Sequence, residues 1–246
     1  MFEAAHDNST EMLAVSDLAH NLLVGDHVEI DPTAQIGANV VIHSNVVIAA
    51  GAVIKHNAVI GALPTLADDS RSDRLPAGET YIGPGATICI GAIVMGGARI
   101  GSETIIGDYA YIRERVVTGI GCRIGRATGI GASARLGDRV NIQTLSGVAA
   151  AALVEDDVFI GPGVMFSSDD TMARRDAAER TQTVIRRGTR IGSGVTLTPG
   201  LQIGPEAFIA AGAVVARDVG QREKVRGVPA RVYGAVADEE LLDNWR

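Results

Sequence analysis

The chain has 246 residues and a formal net charge of −7, a balance that argues against nucleic acid or an anionic membrane as its main partner. Its two cysteines, Cys89 and Cys122, do not suggest a disulfide framework or a zinc site. Aromatic residues make up only 4%, as expected for a core too thin for rings.

The first residues carry neither a basic segment nor an apolar stretch of the signal-peptide kind. No apolar run reaches membrane-spanning length, so the expectation is a soluble cytoplasmic protein. Residues 9–23, "STEMLAVSDLAHNLL", read as a helix capped by Asn8 with Glu11 three residues on, and 1–27 as a helical cap.

From residue 28 a period of six takes over. Ile30, Ile36, Ile42, Ile48, Ile54 and Ile60 begin it. It resumes from Ile82 to Phe166, and again from Ile185 to Val215. Only Thr118 and Phe166 among these positions are not Ile, Leu or Val. Helices repeat at three and four residues and half-buried strands at two, so six fits a very short strand followed by a turn. Two residues before each large position sits a small one, such as Val40, Ala52 and Ala58. The two share a face of one strand, so a large and a small side chain fill a narrow tube together. Three hexads close one coil, which predicts an all-β parallel β-helix of about nine coils spaced by about 4.8 Å.

From Ile30 the chain visits corners A, C and B in turn. Two stretches break the period, 61–81 and 167–184, and both leave from corner B, the corner of Ile42, Ile112 and Leu197. Loops this long in a compact domain are commonly functional. The outward residues of the face that ends at corner B include Val41, Ile93, Tyr111, Met165 and Val214, and none is charged. Such a strip marks an interface with another subunit, unless the chain ends fold over it. The tail "DEELLDNWR" reads as a short helix within 233–246.

Hexads such as "IGANVV" and "IGSETI", with the closing "FIAAGAVVARDVGQREKVRGVPARVYG", resemble the hexapeptide-repeat acyltransferases over residues 28–232. The resemblance implies a left-handed β-helix, against the usual right-handed crossover rule. It also implies a homotrimer, with acetyl-CoA as co-substrate in a cleft between subunits and no metal. By the same resemblance Gly163, Ser193, Ala210, Ala211 and Gly212 would lie along the pantetheine arm, and Arg217, Arg226 and Arg231 near the phosphates and adenine.

Residues 140–170 resemble the branch that acetylates nucleotide-linked amino sugars. The matching positions are Gln143, Thr144 and the run Ser167, Ser168, Asp169, Asp170. Thr144, Asp169 and Asp170 are the catalytic candidates, with an aspartate taking the ammonium proton. Gln143, Arg113, Arg115, Ser167 and Ser168 are the acceptor-binding candidates. Leu145 stands where that branch has a polar residue. No histidine follows His56, and an amine acceptor needs a general base less than a hydroxyl does. The expected reaction is N-acylation by direct attack on the thioester; O-acetylation and a non-catalytic scaffold are the alternatives. A zinc hydratase of the γ-carbonic anhydrase type would need three converging histidines and is disfavoured.

Overall fold

A computed structural model of the protein describes residues 12–68, 70, 74–172, 174 and 182–245. The chain winds as a three-sided parallel β-helix with two eleven-stranded sheets and one nine-stranded sheet. Most strands are two residues long, as in Val53–Ile54, Arg123–Ile124 and Phe159–Ile160. Each pairs with the strand one coil above and one coil below, as Tyr111 does with Ile93 and Gly129. A strand of two residues has no stability of its own; the bonds between coils hold it.

The third residue of most turns lies in the left-handed region. Asn39, Arg115, Ala127, Leu145 and Gly163 are examples, with φ between 53° and 67°. The first turn position, usually glycine, is set by crowding. A Cβ on Gly192 would stand 2.5 Å from the nitrogen of Ala211 in the next coil.

The inward columns form the core. Ile42, Ile60, Val94, Ile112 and Ile130 are fully buried, as are Ala52, Ala58 and Ala110 beside them. Where the small column is polar, its hydroxyls are satisfied within the tube. Thr104 Oγ1 donates to the Gly119 carbonyl at 3.0 Å, Thr128 Oγ1 to that of Gln143 at 2.9 Å, and Ser146 Oγ to that of Gly161 at 3.0 Å. Among the described residues no buried side-chain nitrogen or oxygen lacks a partner, as interiors require.

The ends differ from the sequence expectation. Residues 14–24 are not helical: Ala14–Ser16 and Leu22–Val24 form an antiparallel hairpin. Leu22–Val24 is the first rung of face B, with the N–H of Leu23 on the Val40 carbonyl at 3.1 Å. Val24 continues the six-residue step below Ile30, and a ladder of Asn21, Asn39 and Asn57 amides runs up beside it. These long-range bonds override a weak helical pattern. Residues 1–11, with the expected Asn8 cap and Glu11, lie outside the described residues.

At the other end Glu223–Arg226 extends face C, and Arg231–Ala235 pairs with it antiparallel. The expected helix of 233–246 is reduced to a 3-10 turn at Asp238–Glu240 and one helical turn at Leu242–Trp245. The β-forming run "RVYGA" takes the strand, and buried Leu242 anchors what remains. With rungs added at both ends, two faces exceed the nine coils expected.

Both excursions leave face B and rejoin face A. Val59–Ala62 leads into the first and Thr80–Ile82 ends it; Met165–Phe166 leads into the second and Val184–Ile185 ends it. No described helix is long and apolar enough to cross a membrane.

Candidate functional site

Corner C stacks most of the residues expected to hold a carrier. Ser193, Gly163, Gly212, Gln143 and Thr144 all lie in turns that follow face C strands. The turns are tied coil to coil: the N–H groups of Gly163, Gly194 and Gly212 donate to the carbonyls of Thr144, Pro162 and Ser193 at 3.0, 2.8 and 2.8 Å. Those three N–H groups are thus committed within the coil stack. A Cβ added at Gly163, Gly194 or Gly212 would meet nothing within 4 Å. The edge is therefore an open lane in which a thin chain can lie against backbone. Ala210 and Ala211 continue it.

Arg226 and Arg231 face each other in register across the terminal hairpin, at the end of this lane. The Arg226 guanidinium lies 4.7 Å from the centre of the Tyr233 ring, and Arg231 Nη1 donates to the Ala230 carbonyl at 2.8 Å. Arg217 does not join them; it is exposed on corner B, just after Val215.

Gln143 Nε2 donates to Asn141 Oδ1 at 2.7 Å, which fixes the amide against the strand that precedes the turn. Thr144 is half-buried beside it, and Leu145 is 59% exposed with a φ of 60°. His56 lies on the same corner several coils lower, and its Nδ1 accepts the Ala38 N–H at 2.9 Å.

Corner B holds the other candidates. Ser167 N–H bonds the Leu197 carbonyl at 2.8 Å, and Ser168 and Asp170 are exposed. Asp169 braces its own loop, for its Oδ1 accepts from Thr171 N–H and Thr171 Oγ1, both at 2.7 Å. This is the turn that an Asp-x-Thr sequence makes. Asp170 lines a shallow open depression with Thr171, Met172 and Arg174. Lower on the same corner Arg113 and Arg115 flank Glu114, whose side chain is fully buried. The triplet Arg113-Glu114-Arg115 is visible in the sequence, but nothing there tells that its acid is buried.

The acidic run Glu155, Asp156 and Asp157 belongs to neither edge. On corner A, Glu155 holds Arg186 at 2.6 Å, Asp156 accepts the Asp138 N–H at 2.8 Å, and Asp157 holds Arg139 at 2.7 Å. These acids brace the coil stack. Among the described residues no group of three His, Cys, Asp or Glu could hold a metal ion.

The expected site thus falls into two halves. Corners C and B are the opposite borders of face B, and one protomer does not bring them together. Between them runs the uncharged strip, with Tyr111 38% and Met165 51% exposed, so the described chain ends do not fold over its middle.

Comparison with known proteins agrees with the architecture. The family described as "Bacterial transferase hexapeptide (six repeats)" matches residues 21–56, 79–114 and 182–217. The bifunctional protein GlmU of Carboxydothermus hydrogenoformans is 29% identical over 201 residues, 78% of this chain and 40% of that protein. The galactoside O-acetyltransferase of Lactococcus lactis is 29% identical over 101 residues, 36% of this chain and 49% of that protein. The chain therefore spans less than half the length of these two relatives. The structure of the Arabidopsis UDP-N-acetylglucosamine acyltransferase superposes with a TM-score of 0.52 at 16% identity, covering 90% of this chain and 74% of that one, which speaks for the fold. Hexads, coil register and matches together show that the chain carries the repeats of the bacterial transferase hexapeptide type, wound as a three-sided parallel β-helix.

Proposed function

We propose that this protein transfers an acyl group, in the first instance acetyl, from acyl-CoA to the amine of a nucleotide-linked amino sugar. The observation that carries the reading is the open glycine lane of corner C, running toward paired Arg226 and Arg231. The lane and the acceptor residues of corner B meet when face B of one subunit packs beside another in a homotrimer.

The free amine attacks the thioester carbonyl carbon, the carbon–sulfur bond breaks, and the proton shed by nitrogen balances the departing thiolate. Amine attack suits this chain, because no histidine follows His56 and Asp169 is spent on Thr171. Exposed Asp170 is the remaining acid of the run that can receive an ammonium. One observation favours a hydroxyl acceptor instead, the similarity of part of the chain to a galactoside O-acetyltransferase.

A thiol-release screen separates the readings. Nucleotide-linked amino sugars are expected to release CoA, and the same sugars with hydroxyl in place of amine are not. Release with the hydroxyl compounds alone would establish O-acylation. Failure to bind acetyl-CoA in a calorimetric titration would leave a scaffold.

A further inference from the structure

We propose that Glu114 is a positioning residue for the acceptor half of the site, fixing Arg113 and, through Arg115, the excursion at Leu75. The proposal rests on the acyl-transfer reading for its choice of substrate, but its structural part stands apart from it.

Several turns of corner B place small residues at their middle position: Ser44, Gly96, Ala132 and Ala150. Pro199 and Arg217 near the end of the stack depart from this, and Arg217 is exposed. Glu114 departs from it too, and does so with a charged side chain that is fully buried. A buried carboxylate persists when its oxygens are held by opposite charge. Arg113 does this with two contacts, Nε to Oε2 at 2.9 Å and Nη2 to Oε1 at 2.8 Å. Arg115 stands 3.9 Å from Oε1 on the other side. The triplet carries one positive charge more than it neutralises, and part of the Arg113 side chain stays exposed. A guanidinium held by a fork to carboxylate loses its rotational freedom and offers its remaining N–H groups in one direction. An anionic group of the acceptor, such as its diphosphate, is the ligand class that this charge suits.

Arg115, 3.9 Å from the same acid, reaches the excursion. Arg115 Nη1 donates to the Leu75 carbonyl at 3.4 Å, and its Nε to Ser133 Oγ at 3.3 Å. One coil below, the excursion lies so close that a Cβ on Gly97 would collide with the Ala77 carbonyl oxygen. Gly97 N–H donates to Thr80 Oγ1 at 3.0 Å, and Gly96 N–H to the Ala62 carbonyl at 2.8 Å. The described part of the excursion is thus packed on corner B, with Arg115 as its tie above the glycine pair. The charge of Glu114, 3.9 Å from that tie, is what we infer keeps it in place.

Two readouts test this on the full-length protein. In Glu114→Gln, the KM for the nucleotide-linked amino sugar is expected to rise about tenfold, with kcat and the KM for acetyl-CoA within about twofold. Tryptic cleavage after exposed Arg74 is expected to speed up several-fold as the excursion loosens. Arg115→Lys keeps the charge but loses the planar fork, and carries the cleavage test if Glu114→Gln does not fold. Cleavage at the wild-type rate in both variants overturns the proposal. So does a rise of both KM values in step with a lower Tm, the mark of a merely structural residue. Should the wild-type protein release no thiol with any acceptor, the functional reading falls, and the cleavage rates alone decide the role of Glu114.

Discussion

Cys122 shows how a single side chain reports on the tube. It occupies the small inward column where other coils have Thr104, Thr128 or Ser146, and like them it donates across the coil, Sγ to the Gly137 carbonyl at 3.0 Å. Burial pushes its thiol up to about 11, from 9.0. The native state therefore holds this proton more tightly than the unfolded chain does. Its contribution is complete below about pH 9 and is lost as pH rises to about 11, a change of roughly 2–3 kcal/mol. Cys122→Ser keeps the bond and removes the titration. The stability difference between wild type and Cys122→Ser, from guanidinium unfolding at pH about 8.5 and about 11, should shift by that amount against the wild type. An unchanged difference would mean the thiol is not shielded. Truncating a large inward residue, as in Ile130→Ala, should cost about 2–5 kcal/mol, because its neighbours above and below are pinned by the ladder and cannot close the gap.

At the scale of elements, the repeat itself was legible because every hexad states the same inward pair, and counting hexads assigned each strand to its face. The register confirms the assignment, with Ile42, Ile60 and Val94 on one face and both excursions leaving it. The ends were not legible. Leu22–Val24 and Arg231–Ala235 are strands only through bonds to a neighbouring strand, information that no local pattern holds. The glycine pair in "VMGGARI" was a sign of close approach, but nothing in the sequence said that Ala77 comes to meet it. The end hairpins also cover the last rungs, and an uncovered parallel edge invites another chain to pair with it. A chain ending at residue 222 lacks the strands that cover Phe208–Ile209. It should form higher-mass species in light scattering, where the full chain holds one mass. If the shortened chain keeps a single mass, edge protection is not what the hairpin provides.

The whole molecule decides whether the candidate site exists. Position along the six-residue count was enough to put Ser193 and Gly212 on one edge and Arg113 on another, but not to show what Asp169 does. Its bonds to Thr171 turn a catalytic candidate into a loop brace. What the single chain offers is two half-sites separated by the width of an uncharged face. If neighbouring copies complete each other, defects in different halves must complement. Arg113→Ala impairs the corner B half and leaves the lane intact. Ser193→Trp fills the lane and leaves corner B intact. Each variant alone should release little thiol from acetyl-CoA. When the two are unfolded together and refolded as a random mixture of trimers, a cleft is intact when its corner B comes from the Ser193→Trp chain and its corner C from the Arg113→Ala chain. That holds for about a quarter of the clefts, so about a quarter of the wild-type rate should return. Mixing without refolding should restore nothing if subunits do not exchange. A refolded mixture as inactive as its parents, at wild-type oligomeric mass, would mean that each site lies within one protomer, and the division between corners B and C would have to be read another way.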